Sequence, residues 1–164
     1  SIMATPTYTL IDSVTLGSSS ASVTFSSIPA GGDLVLVIDS KSTTSSNTYL
    51  RFNGDSGSNY SYGTMYGSGS TTGSFFYSDS RIYLHGGLGL TGAFQAIVNI
   101  QDYSATDKHK TVIGRVSSPG QYVTADAGRW ASTAAITSIL VGNLGSYTYP
   151  AGTTFFLYGI AKAL

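Results

Sequence analysis

The chain has 164 residues and a mass of 17.0 kDa, which is the size of one domain, and its eight Lys and Arg balance eight Asp, with no Glu. Because phosphate contacts require a surplus of Lys and Arg, this balance excludes a polybasic nucleic-acid binder, and it gives no sign of a basic membrane patch. The absence of Cys excludes disulfides, thiolate zinc sites and cysteine nucleophiles.

The residue types and their order indicate an all-β chain. Val, Ile, Thr, Tyr and Phe are abundant, helix formers are scarce, and Gly-rich or Ser-rich clusters recur throughout. Alternating apolar residues predict strands in 8–16 and 23–25, followed by a fully apolar, central strand in 33–38. Further strands are predicted at residues 48–53, 74–77, 81–84, 92–102, 110–117, 121–125, 134–141 and 153–161.

The clearest alternation lies in residues 92–102. Phe94, Ala96, Val98 and Ile100 are on one face, and the other face is supplied mostly by Gln95, Asn99 and Gln101. This pattern predicts a strand with one side in the core and the other side wet or facing a partner. In the last strand, Phe156 and Tyr158 alternate with two other apolar residues, so that strand is either fully buried or covered on its second face by a neighbouring subunit.

About ten short strands predict a two-sheet antiparallel β-sandwich of jelly-roll-like architecture, because a single open sheet would leave apolar faces and edges uncovered. We expect residues 8–164 to form this single domain. Residues 1–7, in which Pro6 favours an extended chain, are predicted to form an N-terminal arm, with a frayed terminus as the alternative. No apolar run approaches the ~20 residues of a membrane helix. The first residues lack the pattern of a signal peptide, so we expect a soluble chain that such a signal does not export.

Gly, Ser, Asn and Tyr dominate residues 53–73, which are predicted to form a long hairpin loop. The alternative is a contact loop, since Tyr combined with Ser and Gly is typical of adaptable recognition surfaces. Within this segment, Asn53-Gly54-Asp55 is explained by turn chemistry. A calcium site at Asp55 with Asn59 is a remote alternative, because the EF-hand spacing is not met.

Motifs for catalysis or cofactor binding are weak. Residues 87–92 match the letters of the dinucleotide fingerprint GxGxxG, but the next residues alternate as a strand where the motif requires a helix, so a tight strand connection is predicted. Asp102, Asp107 and His109 lie near one another, yet neither a GxSxG elbow nor an HExxH pattern is present. Residues 108–110 are predicted to form a solvated turn, and His85 to make a surface or interface hydrogen bond.

Glycosidases use two carboxylates across a cleft, and Asp55, Asp79 and Asp126 are conceivable members of such a pair. Nothing in the sequence pairs them. We therefore expect no enzyme activity, with no catalytic residues, no cofactor and no metal site.

Several segments together resemble a known family. They are residues 8–12, 50–61, 130–139, 151–155 and 157–160. In these segments the chain resembles virion-associated β-sandwich proteins of tailed bacteriophages. Such proteins occur as capsid decoration (cement) proteins, as head or tail fibre parts and as tail adhesin domains, commonly as trimers. The resemblance carries no active-site residue.

The resemblance implies a non-enzymatic virion structural protein, most specifically a capsid decoration protein that stabilises the head shell. It would be made in the host cytoplasm, sit on the outer surface of the capsid or a fibre as a homotrimer, and contact the major capsid protein or other virion proteins. Zero net charge agrees with dense packing of many copies, because self-repulsion grows with net charge. The candidate interface residues are Pro6, Tyr60, Tyr62, Tyr66, Phe156 and Tyr158.

Two other classes stay open. A head or tail fibre or an adhesin would bind carbohydrate of the host surface through the rings of Tyr60, Tyr62, Tyr66 and Trp130, since Tyr and Trp stack on sugar faces. A small hydrolase would need two convergent carboxylates, or a Ser, a His and an Asp within hydrogen-bond reach; Asp102, Asp107 and His109 would have to lie together.

Overall fold

The structure, a computed structural model, describes residues 6–161, apart from the side chains of residues 42–44. Within this part of the chain the strands are β1 (Tyr8–Thr15), β2 (Ser22–Phe25), β3 (Asp33–Ser46), β4 (Thr48–Phe52), β5 (Tyr60–Ser68), β6 (Thr71–Asp79), β7 (Ile82–Tyr83), β8 (Leu90–Gln101), β9 (Lys110–Ser117), β10 (Val123–Trp130), β11 (Ile139–Asn143) and β12 (Thr154–Ile160). A single 3₁₀ turn, His85–Gly87, links β7 to β8. Residues 6–161 form no helix with the length and apolar character of a membrane span.

The strands form two antiparallel sheets. The larger sheet has eight strands in the order β1-β12-β3-β8-β9-β10-β5-β6, and the smaller has four in the order β2-β11-β4-β7. Each recorded strand pair in both sheets is antiparallel. The predicted all-β, two-sheet sandwich of jelly-roll-like type is therefore confirmed.

The core lies between the sheets, where the strands present their apolar alternate residues. On β8 these are Phe94, Ala96, Val98 and Ile100, each at most 1% exposed, as the alternation predicts. The smaller sheet contributes Leu50, Phe52, Ile139 and Val141 to the same cluster. Full burial of a side chain of this size contributes roughly 1.5–3 kcal/mol, so this layer is the main source of stability.

Most predicted strands are present, but several boundaries differ, including those of β3, β10 and β11. β3 continues through a Ser- and Thr-rich stretch to Ser46, because pairing with β8 stabilises residues that carry no apolar signal. β10 extends to Trp130, beyond the predicted 121–125. β11 begins only at Ile139, since residues 131–138 run as an irregular segment before it.

The prediction of a long loop over residues 53–73 is wrong. Only 53–59 and 69–70 are turns, and the residues between them form β5. Tyr60, Tyr62, Thr64 and Tyr66 alternate with Ser, Gly and Met residues and point inward, so tyrosine acts here as the apolar member of a strand pattern.

Of the predicted N-terminal arm, Pro6 and Thr7 are exposed and precede β1. The rest of the arm, residues 1–5, lies outside the described residues.

Candidate functional site

One face of the eight-stranded sheet packs against the smaller sheet, and we call the opposite side the outer face. Antiparallel pairing aligns outward residues of neighbouring strands, so they form rows that cross the sheet at right angles to the strands. Four such rows follow from the strand register.

The two central rows are mostly apolar, and together we call them the apolar stripe. The first row is Leu10, Tyr158, Val35, Asn99, Ile113, Ala127, Gly63 and Phe76. The second row contains Phe156, Val37, Ile97, Arg115, Ala125 and Met65. Several of these side chains are exposed to solvent: Phe76 is 70% exposed, Met65 64% and Ile113 48%.

The rows on either side of the stripe are mostly polar. One row carries Asp39, Gln95 and Ser117, and ends in the exposed Val123. The other carries Asp33, Gln101, Thr111, Arg129 and Ser61 over its central strands. The outer face is therefore an apolar band with polar borders.

Arg115 places a positive charge in the middle of the stripe. It lies directly opposite Ile97 on β8 and Ala125 on β10. It lines two adjoining open depressions of about 380 and 370 Å³, the first of which also includes Tyr8, Asn99 and Tyr158. Within residues 6–161 its guanidinium makes no recorded ion pair or hydrogen bond, so its charge faces solvent.

Among the candidate interface residues, Phe156 and Tyr158 lie on the outer face. They are half-buried, and their rings stack with centroids 6.3 Å apart. Tyr66 is half-buried on the inner side of β5, where its ring packs against Phe75 and Tyr122. Only Phe156 and Tyr158 therefore belong to the stripe.

The prediction that Tyr60, Tyr62 and Trp130 present their rings to a partner or a sugar is wrong. Each is at most 5% exposed, and the rings of Tyr60 and Trp130 stack in the core with centroids 6.3 Å apart. Burial raises the pKa of Tyr60 and that of Tyr62 to about 12. Tyr60 and Tyr62 are buried because they belong to the residues of β5 that alternate toward the core. A loop would have no such alternation.

A cluster of polar groups, which we call the buried joint, links the two sheets. The Asp126 carboxylate on β10 accepts hydrogen bonds from the Thr64 hydroxyl (2.5 Å), the Thr124 hydroxyl (2.8 Å) and the His85 backbone N–H (3.1 Å). Burial is the main influence on Asp126 and raises the pKa of its carboxyl. His85 also accepts a bond at Nε2 from the N–H of Thr48 on β4 (3.2 Å).

The predicted surface position of His85 is wrong, since its side chain is fully buried. Burial lowers the pKa of His85 to about 4. The turn that carries His85 is tightly packed: the next residue, Gly86, has φ of 59°, and a Cβ there would lie 2.0 Å from Cζ of Phe75. Gly87 and Gly89 thus lie in the connection before β8, as predicted, whereas Gly92 lies within β8, which begins at Leu90.

A second cluster, the exposed joint, surrounds the turn after β4. Asp55 Oδ2 accepts hydrogen bonds from Trp130 Nε1 (2.7 Å) and Asn59 Nδ2 (3.0 Å). The Trp130 bond is the largest influence on Asp55 and lowers the pKa of its carboxyl. Asn53, with φ of 53°, accepts from the N–H groups of Thr137 (2.8 Å) and Ser138 (3.1 Å). The turn chemistry predicted for residues 53–55 is present.

The residues considered for catalysis do not converge on one site. Asp102 pairs with Lys108 (3.0 Å), whereas Asp107 and His109 are exposed. Asp79 lies 3.7 Å from Arg81, apart from the joints that hold Asp55 and Asp126. No group of three His or Asp side chains suited to a metal ion is found within residues 6–161.

The solvated turn predicted for residues 108–110 is wrong at its last residue. Lys110 begins β9 and is buried. Its Nζ donates hydrogen bonds to the carbonyls of Lys108 (2.9 Å) and Thr133 (3.3 Å), and burial lowers its pKa.

No protein-family model and no curated protein sequence matches this chain. Among solved structures, the chain is similar to an exo-inulinase from Aspergillus awamori, with 13% identity and a TM-score of 0.45 over 93% of this chain, and it spans 29% of the inulinase chain. It is also similar to the alginate lyase Aly36B, with 12% identity and a TM-score of 0.35 over 90% of this chain and 77% of the lyase.

A third similar structure is the galectin LEC-6 of Caenorhabditis elegans, with 8% identity and a TM-score of 0.35 over 92% of this chain and 96% of the galectin. At these identities the similarity concerns the β-sandwich fold alone.

Ile97, Ile113 and Arg115 were not predicted from the sequence as surface residues of interest. A signal for them exists: Ile97 interrupts the polar face of β8 between Gln95 and Asn99. Only the register of β8 against β9, however, places Ile97 beside Arg115.

Proposed function

We propose that this chain is a non-enzymatic structural protein of a tailed-bacteriophage virion, specifically a capsid decoration protein that attaches to neighbouring virion proteins through the apolar stripe. The observation that carries the proposal is the stripe itself, with apolar side chains exposed across the outer face of the sheet. A contiguous apolar patch with polar borders is typical of a surface that binds another protein. The sequence resemblance supplies the virion setting.

The size of the outer face supports a protein partner. With each strand about 4.8 Å wide and each row about 6.8 Å wide, eight strands and four rows cover about 38 by 27 Å, or roughly 1,000 Å². A standard protein interface buries about 800 Å² on each partner, with an apolar centre and a polar rim. Small-molecule sites instead enclose most of their ligand, whereas both depressions beside Arg115 are open.

The charges of the outer face support a particular kind of partner surface. Arg115 lies within the stripe and Arg129 beside it, and neither makes a recorded ion pair with any residue from 6 to 161. An Arg buried at an interface without a carboxylate would be destabilising, so the matching surface needs acidic side chains among apolar ones. Such contacts exist only in the assembled shell, so binding would stabilise the shell as any native-state ligand does.

The first test is the stoichiometry of this chain in purified virions of its source, measured by quantitative mass spectrometry against the major capsid protein. We expect a ratio near one or a simple fraction of one. A far lower copy number would point to a fibre or tail component and overturn the decoration role. Absence from virions would overturn the proposal altogether.

A second test addresses the stripe with a matched pair of variants on β9. Ile113→Asp places a charge in the stripe, whereas Thr111→Asp places the same charge on the same strand and face, in a polar row. We expect Ile113→Asp to lower the affinity for capsids lacking this protein by at least about tenfold, and Thr111→Asp to bind like wild type. Equal binding of both variants would contradict the role of the stripe.

The alternative, a fibre part or adhesin that binds carbohydrate, stays a prediction for which no binding site is identified. Three of the four rings that it required lie in the core, so we assign no carbohydrate-binding residues.

A further inference from the structure

The eight-stranded sheet has two open edges, β1 and β6, which differ in how they would meet another strand. β1 has a register shift between Leu10 and Asp12, and Pro6 lies just before it. A bulge, a proline and a charged side chain are devices by which edge strands avoid pairing. The β1 edge is therefore protected.

The β6 edge has neither a bulge nor a proline. Its nine residues pair with β5 in unbroken register from Thr71 opposite Ser68 to Asp79 opposite Tyr60. β6 contains no Pro and no Lys, and its one charged residue, Asp79, is at its end. On its other side the backbone of β6 has no neighbouring strand within the described residues. A long, regular edge of this kind is a template for pairing with another strand.

β6 also exposes aromatic side chains on both faces. Phe76 on the outer face is 70% exposed, and Tyr77 on the opposite face is 54% exposed. The last strand of the smaller sheet is β7, and its Tyr83 packs against Tyr62 of β5. Within the described residues no strand of that sheet covers β6, so Tyr77 is exposed. Pairing at this edge would thus cover apolar surface as well as backbone groups.

We propose that β6 pairs with β6 of a second copy of this chain, antiparallel and across a two-fold axis. The two eight-stranded sheets then become one continuous sheet through an isologous contact, in which the same surface of each copy meets itself. This inference does not rest on the proposed virion function.

The sequence of β6 suits pairing with itself. In a register centred on Phe76, the two Phe76 rings are neighbours, and Phe75 of each copy lies opposite Tyr77 of the other. Aromatic pairs of this kind stabilise antiparallel strands. Asp79 lies opposite Gly73 of the other copy, so no like charges meet, and zero net charge avoids repulsion between the copies.

The mass in solution tests the proposal, by sedimentation equilibrium over a wide range of concentrations. We expect wild type to be a dimer and Phe76→Lys to be a monomer, because two ammonium groups would face each other across the axis. Leu10→Lys is the matched control, since Leu10 is an apolar residue on the other edge strand with 51% exposure, and it should stay dimeric. Circular dichroism verifies that both variants are folded.

The absence of Cys in the chain allows a second, direct test. Directly opposite residues of antiparallel strands have Cβ atoms about 4.5–5.5 Å apart, close to the distance that a disulfide requires. Phe76→Cys should therefore form a covalent dimer under mild oxidation, whereas Leu10→Cys should remain a single chain on a non-reducing gel.

Three results would overturn the proposal. They are a monomeric wild type at every concentration, a trimeric wild type as the family resemblance predicts, and a dimer that Phe76→Lys leaves unchanged. Equal cross-linking of Phe76→Cys and Leu10→Cys would contradict it as well.

Discussion

The buried joint and the exposed joint both centre on an Asp carboxylate with three hydrogen-bond donors. The pKa values of the two carboxyl groups nevertheless shift in opposite directions. Asp126 accepts bonds from Thr64, Thr124 and His85, and burial still raises its pKa. Asp55 accepts bonds from Trp130, Asn59 and the N–H of Gly57 (2.9 Å), and its pKa is lowered. Donor number is the same, so the difference lies in access to water.

This comparison shows how burial decides what a hydrogen-bonded carboxylate contributes. Away from water, the desolvation of the charge outweighs the bonds that stabilise it, whereas near water the bonds dominate. The buried carboxylate should therefore be costly to remove from its donors, whereas of the two carboxylates only the exposed one gives stability that is lost in acid.

The largest effect is expected when the buried carboxylate is removed. Asp126→Ala leaves the His85 N–H and two hydroxyl groups without their acceptor in the core, so the free energy of unfolding should fall by about 4 kcal/mol. The matched change Asp55→Ala, at the exposed joint, should cost about 1 kcal/mol because water replaces the acceptor. Urea unfolding at pH 7 measures both. Equal losses would contradict the comparison.

The second effect concerns His85. Its folded pKa of about 4 lies below the unfolded value of 6.5, so the unfolded state binds more protons between these values and stability falls with decreasing pH. The loss from pH 6.5 to pH 4 should be on the order of 3 kcal/mol.

The His85 prediction is checked by unfolding at several pH values in this window. His85→Asn, which tolerates the φ of 50° at this position, should remove the slope. His109→Asn, a change at the exposed histidine, should keep it. A slope that survives in His85→Asn would assign the acid sensitivity to another group.

A smaller effect is expected at Asn53, whose contribution has two parts. Asn53→Ala loses both the bonds to Thr137 and Ser138 and the tolerance for positive φ, and should cost about 2 kcal/mol. Asn53→Gly restores only the backbone freedom and should cost about 1 kcal/mol. Thermal unfolding of both variants separates the two parts. A Gly variant as unstable as the Ala variant would show that backbone strain contributes nothing.

The smallest effect is expected for Asp55→Asn below pH 4. A lowered folded pKa stabilises the protein above the unfolded value of 3.8 and loses that contribution as the pH falls. The raised pKa of Asp126 acts oppositely: its contribution is present below 3.8 and is lost as the pH rises through the folded value. When the pH is lowered from 5 to 3, the free energy of unfolding of Asp55→Asn should therefore fall by less than that of wild type. That of Asp126→Asn should fall by more. The same slope in both variants would refute this assignment.

The fold was predictable because apolar alternation is a local property of the chain. Phe94, Ala96, Val98 and Ile100 indicate their strand without any partner, and residues 110–117 match β9. β5 was missed because its inward residues are tyrosines and a threonine among glycines and serines, a composition shared by strands and loops. The neighbouring β10 and β6 decide between the two by pairing with it.

The candidate site was less predictable, because it depends on contacts between distant segments. Phe156 and Tyr158 lie on the second face of their strand, and their role in an interface stays a prediction. Only the pairing of β8 with β9 places Ile97 opposite Arg115 on the outer face. The buried side chain of His85 likewise contacts Thr48 and Phe94, which no local pattern brings together.

The apolar stripe crosses its strands at right angles, so each strand supplies only one or two of its residues. No continuous peptide of this chain can reproduce it, and overlapping synthetic fragments should neither compete with the folded protein nor raise antibodies that block it. A single-residue insertion within β9 would turn Ile113 or Arg115 toward the core and a core residue toward the stripe. The stripe therefore depends on the register of the strands. The number of residues in each strand is as important for it as the identity of those residues.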